Sequence, residues 1–243
     1  MKKYLLVVVM LLVPGFAFGS TLPLVTDDAV TIGKGKFDVD VTYNVGFDSD
    51  VTASNVAAKV TYGVAPNVDV IIEQPWSYVS FDGTGHTKGF NDTVVASKYK
   101  FGVFKGIDLA AKASLSLPTA DEFKGFGPGK VNLGVSLLAT KPFAWGAVHA
   151  NAGYTTNAND FGLNKNILNG SIAAEYIIIK NLVAVADFGV ATNLLKDSDA
   201  NTYLLGGVNY KITPKASIAL GVKGGLSGSL ANTTLLTGFT YKF

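Results

Sequence analysis

The chain lacks cysteine and arginine, and its net charge is small. None of the 243 residues is Cys, and all 20 basic residues are Lys. A secreted protein without disulfides has to be stabilised by a core or by a closed hydrogen-bonded sheet. Without Arg the chain has no planar fork for bidentate capture of phosphate. With 20 Lys against 18 acidic residues it also has no basic stripe, so we expect no nucleic-acid partner.

The N-terminus has the features of a secretory signal peptide. A positive start (1–3) precedes an apolar run (4–13), and small residues follow at Ala17 and Gly19. Ten apolar residues at about 1.5 Å each are too short to cross roughly 30 Å of hydrocarbon as a helix. We therefore predict that residues 1–19 are a signal peptide cleaved after Gly19. Its removal takes two Lys and leaves the mature chain formally neutral.

The rest of the chain alternates between apolar and polar residues in short segments. In the first segment Phe37, Val39 and Val41 share one face, whereas Asp38 and Asp40 share the other. Such alternation over about ten residues is expected of strands with one face toward lipid and the other toward a polar lumen. It also fits half-buried strands of a soluble sandwich. Twelve segments have this pattern: 36–47, 55–64, 68–79, 90–103, 107–117, 129–140, 145–157, 167–178, 182–192, 201–211, 215–226 and 232–243.

The connections between these segments favour a barrel, because they alternate in length. Short, Pro-, Gly- and Asn-rich turns are typical of one end of an outer-membrane barrel, and longer polar loops of the other. We predict an all-β fold: a transmembrane antiparallel β-barrel over 36–243, of about 12 strands, or 10 or 14 if one hairpin is miscounted. An even number puts both termini on the periplasmic side, after a periplasmic segment at 20–35. The short turns are 65–67, 104–106, 141–144, 179–181 and 212–214; the longer loops are 48–54, 80–89, 118–128, 158–166, 193–200 and 227–231.

The last strand indicates where the protein is delivered. Phe239, Tyr241 and Phe243 alternate with small or polar residues, and the chain stops on Phe243. This resembles the targeting strand that the barrel-assembly machinery reads in outer-membrane proteins. Closure has a physical reason, because each unpaired backbone group in lipid costs several kcal/mol. We therefore expect the bacterial outer membrane as the location, with its lipid and the assembly machinery as partners.

Charged residues inside the predicted strands are candidates for the lumen. A Lys at the lipid midplane would cost about 2–4 kcal/mol, so the interior is the favourable place for them. They either line a weakly selective polar path or pair across strands and plug the barrel. The predicted lumen-lining residues are Asp38, Asp40, Lys59, Asp69, Glu73, Lys98, Lys100, Asp108, Lys112, His149, Glu175, Asp187 and Lys223.

Evidence for catalysis in the sequence is weak. His149 could serve as a base, but no Gly-x-Ser-x-Gly turn precedes a helix. The stretch 125–130 lacks the spacing and the Ser/Thr of a phosphate loop. Asp197 and Asp199 lack a full Ca²⁺ ligand loop. We therefore predict no enzyme, no cofactor and no metal site.

Four stretches of the mature chain carry a pattern of short motifs: 24–29 with 33–37, 61–63 with 73–76, 89–92 with 98–101, and 116–121 with 127–130. They resemble outer-membrane proteins grouped as transporters of the MetA pathway of phenol degradation. Ala120 stands where the family pattern has Gly, and Lys98 and Lys100 appear without the usual Arg. The resemblance implies a barrel and uptake of hydrophobic or aromatic compounds.

Three functional hypotheses follow. The leading one is passive passage of small solutes, including hydrophobic or aromatic compounds, through an outer-membrane channel. The second is a plugged structural or surface-binding barrel, in which loops 80–89 and 118–128 do the binding. The third is an outer-membrane lipid hydrolase centred on His149. Small-molecule solutes are the expected ligands under the first hypothesis.

Overall fold

The computed structural model describes residues 21–228 and 231–243. The predicted signal peptide, residues 1–19, lies outside the described residues. No helix in the described part of the chain is long and apolar enough to cross a membrane. Within these two ranges one 3₁₀ turn, Glu122–Lys124, is the only helical element, and the other elements are strands. The strands are β1 (Phe37–Asp48), β2 (Val51–Ala65), β3 (Val68–Phe81), β4 (Gly85–Phe90), β5 (Thr93–Phe104), β6 (Ile107–Leu117), β7 (Asn132–Phe143), β8 (Gly146–Thr156), β9 (Asn166–Ile179), β10 (Leu182–Ala191), β11 (Asn201–Lys211), β12 (Ala216–Ser227) and β13 (Thr233–Lys242).

The strands form one closed antiparallel barrel. β1 pairs with both β2 and β13, which joins the first strand to the last and leaves no open edge there. β4 and β5 both pair with β3, β4 along its second half and β5 along its first. Together they form a single wall strand broken at Asn91 and Asp92, so the barrel has 12 wall strands. This confirms the predicted number and the predicted fold class.

The alternation along each strand separates an apolar exterior from a polar interior. In β1, Asp40 and Thr42 are buried, whereas Val41 and Tyr43 are 41% and 47% exposed. Large apolar side chains such as Leu137 are exposed around the outside of the barrel. Since lipid is the solvent for such a surface, the exposed apolar face is where the barrel meets the bilayer.

The connections define two ends, which we call the short-turn end and the long-loop end. At the short-turn end β5 and β6 are joined by Lys105–Gly106, both with positive φ (50° and 72°), as in a two-residue hairpin turn. At the long-loop end the prediction of a longer loop at 48–54 was wrong. β1 and β2 are joined there by Ser49 and Asp50 alone. The strands extend further than expected because Val51 and Ala53 pack against the buried pair Val79 and Phe126.

Candidate functional site: the barrel interior

The chain ahead of β1 runs through the inside of the barrel. Leu22, Leu24 and Ala29 are at most 1% exposed, although they belong to no strand. We call residues 21–32 the interior segment. We predicted from the sequence that 20–35 is a periplasmic segment outside the barrel. The structure instead places the interior segment among the inward-facing side chains of the barrel wall. Irregular backbone is tolerated at membrane depth only where protein or a water-filled cavity surrounds it, which is the case here.

Asp187 on β10 holds the middle of the interior segment. Its Oδ2 accepts the backbone N–H groups of Val25 and Thr26, both at 2.8 Å. Its Oδ1 accepts the Thr26 hydroxyl at 2.7 Å and the Tyr203 hydroxyl at 3.1 Å. The carboxylate is 1% exposed, and four donors compensate its burial. Asp187 thus anchors the segment and has no acceptor capacity left for a solute.

Asp27 forms a buried ion cluster with two lysines of the wall. Its Oδ2 lies 2.8 Å from Lys112 Nζ on β6, and its Oδ1 lies 3.4 Å from Lys98 Nζ on β5. Lys98 also lies 3.5 Å from Asp28 Oδ1. Asp27 is 5% exposed, and the opposite charges of Lys112 and Lys98 compensate for its burial. Asp27 therefore stays ionised and ties the segment to β5 and β6.

Further contacts tie the interior segment to other wall strands. Ala29 N donates to Thr140 Oγ1 on β7 at 2.8 Å. Ile32 N donates to the Asp69 carboxylate on β3 at 3.2 and 3.3 Å. On the far side, Asn209 Nδ2 on β11 donates to Leu22 O at 2.9 Å. The segment therefore crosses the whole barrel from β3 to β11. With its amide oriented to satisfy both groups, Asn151 on β8 also pairs with the backbone of Asp27.

Glycines in the wall make room for the interior segment. A Cβ at Gly207 or Gly221 would come within 2.8 or 2.9 Å of the Pro23 ring. A Cβ at Gly238 would meet the Leu22 side chain, mainly its Cδ1. Glycine inside a strand often marks a close approach of another backbone. These glycines were the sequence signal for the interior segment, and the strand pattern alone did not reveal it.

His149 on β8 joins two neighbouring wall strands. Its Nδ1 lies 3.0 Å from Thr140 Oγ1, and its Nε2 lies 3.2 Å from Glu175 Oε1 on β9. The ring is 3% exposed. A hydroxyl, an imidazole and a carboxylate in this order resemble a hydrolase triad. Here the Thr140 oxygen already accepts the N–H of Ala29, which is fully buried, so the interior segment covers the only hydroxyl in the arrangement.

The remaining predicted lumen residues also project from the interior face, several of them as ion pairs. Lys59 lies 3.1 Å from Asp40, and Lys100 lies 2.7 Å from Asp108. Near the short-turn end Asp38 lies 3.9 Å from the partly exposed Lys242. Most of these charges are thus paired within the wall or with the interior segment. Glu73 and Lys223 differ, since Glu73 Oε2 and the Lys223 ammonium group have no hydrogen-bond or ion-pair partner among the described residues, and both side chains line a cavity.

Among the described residues, one cavity lies on each side of the interior segment. The loop-side cavity, of about 300 Å³, lies between Val25 and Asp27 on one side and Phe126, Leu163 and Leu194 of the long-loop end on the other. The turn-side cavity, of about 340 Å³, is lined by the residues Thr21, Glu175, Val183, Asn209, Lys211, Thr213, Pro214, Lys215, Ala216, Ser217, Thr240 and Lys242. A solute crossing the barrel would have to pass the interior segment.

Comparison with known proteins gives a family and a fold. The family model described as "Putative MetA-pathway of phenol degradation" matches residues 14–243. A search of proteins with curated descriptions finds no matching sequence. Among solved structures, the COG4313 outer membrane channel from Pseudomonas putida F1 is 13% identical with a TM-score of 0.74, covering 89% of this chain and 98% of that one. The NanC porin is 12% identical with a TM-score of 0.62, covering 85% of this chain and 100% of that one.

A further porin shares the architecture. The KdgM porin is 13% identical with a TM-score of 0.56, covering 84% of this chain and 99% of that one. At such identities the likeness speaks for the fold and leaves the solute open. The chain therefore has the fold of bacterial outer-membrane channels and porins.

Proposed function

The chain belongs to the family described as "Putative MetA-pathway of phenol degradation", and we propose that it is an outer-membrane channel for passive passage of small solutes, including hydrophobic or aromatic ones. The observation that carries this proposal is the closed barrel with an apolar exterior and a polar, charged interior that holds two cavities. The known structures with this fold are named as channels and porins, which supports the same function.

The orientation of the barrel is part of the proposal. The short-turn end, with both termini of the barrel domain, faces the periplasm, and the long-loop end faces outward. Phe243 packs edge-on against Tyr241 and Phe37, with ring centroids 4.8 and 5.6 Å apart, at the short-turn end of the β1–β13 seam. An aromatic cluster at this level suits the membrane interface. The outward-facing Phe239 and Tyr241 complete the strand that the assembly machinery would read.

The route through the barrel is narrow and nearly balanced in charge. Lys98 and Lys112 face Asp27, and Lys59 faces Asp40, so anions and cations each meet both signs. Weak ion selectivity follows from this balance. The interior segment is the tightest point on the route, and its displacement sets the rate of passage. The predicted lumen-lining residues act as the walls on either side of it.

The test is solute flux through reconstituted protein. Liposomes that contain mature protein (20–243) should admit a small neutral aromatic solute and a small sugar faster than empty liposomes do. A variant lacking residues 21–32 should raise both the flux and the bilayer conductance, because the segment no longer crosses the barrel. Equal flux from empty liposomes and from liposomes with folded mature protein would reject the channel, whatever the truncated variant does.

The second candidate function is a plugged barrel that binds partners at its surface. The observation that favours it is the number of bonds that hold the interior segment, from Asp69 on one side to Asn209 on the other. Under this function, removing the segment opens an artificial pore, but the full-length protein passes nothing. The flux measurement on the full-length chain therefore separates the two.

A further inference from the structure

The loop-side cavity contains a buried carboxylate with an unused acceptor. Glu73 on β3 is 7% exposed and lines this cavity. Its Oε2 has no hydrogen-bond partner among the described residues, and neither has Asn44 Oδ1, which lines the same cavity from β1. A buried charged oxygen without a donor is unfavourable, so such groups in native structures need an explanation. A ligand that supplies a donor is one explanation, and the open space beside Glu73 leaves room for it.

The same cavity contains a lysine without a counter-ion. Lys223 projects from β12, and its Nζ lies 5.7 Å from the centroid of the Tyr203 ring. Within residues 21–228 and 231–243 its ammonium group makes no hydrogen bond and no ion pair. The nearby Asp187 is already occupied by Val25, Thr26 and Tyr203. Lys223 can therefore offer all three of its protons to an anion in the cavity.

Part of the cavity wall between these two polar points is apolar, and Asn, Ser and Thr side chains line much of the rest. Phe126, Leu163 and Leu194 come from the long loops, and Ile167 and Leu236 come from β9 and β13. Phe126 is held in place, since it is 3% exposed and packs against Val79. A volume near 300 Å³ lies at the lower end of ligand pockets and suits a molecule of about one ring.

From this arrangement we propose that the loop-side cavity is a binding site for a small organic anion that also carries a hydrogen-bond donor, with an apolar body between the two groups. The anionic group faces Lys223, the donor faces Glu73, and the apolar body contacts Phe126 and the leucines of the long loops. The inference rests on the proposed channel function, in which this site is where a solute pauses before it passes the interior segment.

The two polar residues make different demands on the ligand. Lys223 requires an acceptor and prefers a full negative charge. Glu73 repels that charge and requires a hydroxyl or ammonium proton, so it fixes the orientation of the molecule. A site built to bond a hydroxyl discriminates strongly against an analogue that lacks it. Ligands with only one of the two groups should therefore bind more weakly than a ligand with both.

Equilibrium binding of matched probes to the folded mature protein tests the site. The probes are 4-hydroxybenzoate, which has both groups, benzoate, which lacks the donor, and phenol, which lacks the anion. We expect saturable binding of 4-hydroxybenzoate, with a Kd at least tenfold lower than that of either single-group probe. No saturable binding of any probe, or equal binding of all three, would overturn the proposal.

Variants assign the ends of the ligand. Glu73→Gln keeps the size of the side chain but removes the charge, and Lys223→Met removes the ammonium group. Glu73→Gln should raise the Kd of 4-hydroxybenzoate and of phenol about tenfold and leave the Kd of benzoate unchanged. Lys223→Met should raise the Kd of 4-hydroxybenzoate and of benzoate and leave the Kd of phenol unchanged. The control is Lys180→Met, an exposed lysine in the β9–β10 turn, which should change none of the three.

The outcome separates this site from the channel. Circular dichroism and urea unfolding verify that each variant is folded before its Kd is compared. Saturable binding without flux through liposomes would keep the site and reject the channel. Flux without saturable binding would keep the channel and reject the site. Loss of binding in Lys180→Met as well would also reject the site, because the effect would then not be local.

Discussion

Thr26 donates both its backbone N–H and its hydroxyl to the carboxylate of Asp187, at 2.8 and 2.7 Å. This pair joins the interior segment to the barrel wall where both residues are almost fully buried. Hydrogen bonds to a buried charge are stronger than neutral ones, and losing one partner leaves the other unsatisfied. A single substitution at the contact between Thr26 and Asp187 should therefore be enough to loosen the interior segment that obstructs the barrel.

Asp187→Asn should loosen the interior segment. Asparagine has nearly the same shape as aspartate but no charge. Its amide nitrogen cannot accept the hydrogen bonds that one carboxylate oxygen of Asp187 receives. We expect a loss of roughly 1.5–3 kcal/mol in the free energy of unfolding, measured by urea denaturation, and more frequent conducting events in planar bilayers. Asp108→Asn is the control, because its partner Lys100 lies in a more exposed part of the interior. A conductance increase of the same size in the control would contradict the assigned role of Asp187.

Locking the interior segment should close the barrel reversibly. Thr26 Oγ1 lies 2.8 Å from Ser171 Oγ on β9, and the chain contains no cysteine. The double variant Thr26→Cys with Ser171→Cys can therefore form one defined disulfide. We expect low solute flux in the oxidised protein and recovery of flux after reduction. The single variant Thr26→Cys, treated in the same way, should not respond; if it does, the redox effect does not come from the lock.

A side chain at Gly238 should displace the segment from the wall. A Cβ there would meet Leu22, whereas a Cβ at Gly206 on β11, two strands away, would meet nothing within 4 Å. Because valine has a high strand propensity, propensity alone predicts the same change in stability for Gly238→Val and Gly206→Val. We expect Gly238→Val to lower stability and to raise bilayer conductance, and Gly206→Val to do neither. Matching behaviour of the two variants would mean that the contact with Leu22 has no effect on the segment.

The wall of the barrel was predictable from the sequence, and the contents of the barrel were not. Alternation such as that of Val39, Asp40 and Val41 depends only on which face meets lipid, so it is visible in the sequence. The interior segment has no such period, because its backbone is bonded to side chains such as Asp187 and Thr140. Partners more than a hundred residues apart leave no local pattern. The strand glycines were a usable signal, because a glycine inside a strand often marks the close approach of another backbone.

The buried ion cluster of the interior segment should show strong coupling. Asp27→Asn leaves Lys98 and Lys112 without their shared carboxylate, and Lys112→Met removes the shorter of the two ion pairs that Asp27 makes with these lysines. Breaking a buried pair by removing one partner costs roughly 3–5 kcal/mol. The double variant should lose less stability than the sum of the two single losses, as measured in a double-mutant cycle from urea denaturation. Additive losses would mean that the two side chains do not act on each other.

His149 should be a structural residue and not a base in hydrolysis. Thr140 Oγ1 accepts a hydrogen bond from Ala29 N and donates its own proton to His149 Nδ1. In this arrangement His149 carries its proton on Nε2 and donates it to Glu175 Oε1, so that each group has a partner. No position is left for an ester carbonyl next to the hydroxyl, because Ala29 covers it. We expect no lipid or ester hydrolysis by the mature protein, and a lower urea midpoint for His149→Ala. Hydrolysis by the parent protein that disappears in His149→Ala would establish the triad as an active site. Hydrolysis that appears only after removal of residues 21–32 would show that the interior segment masks one.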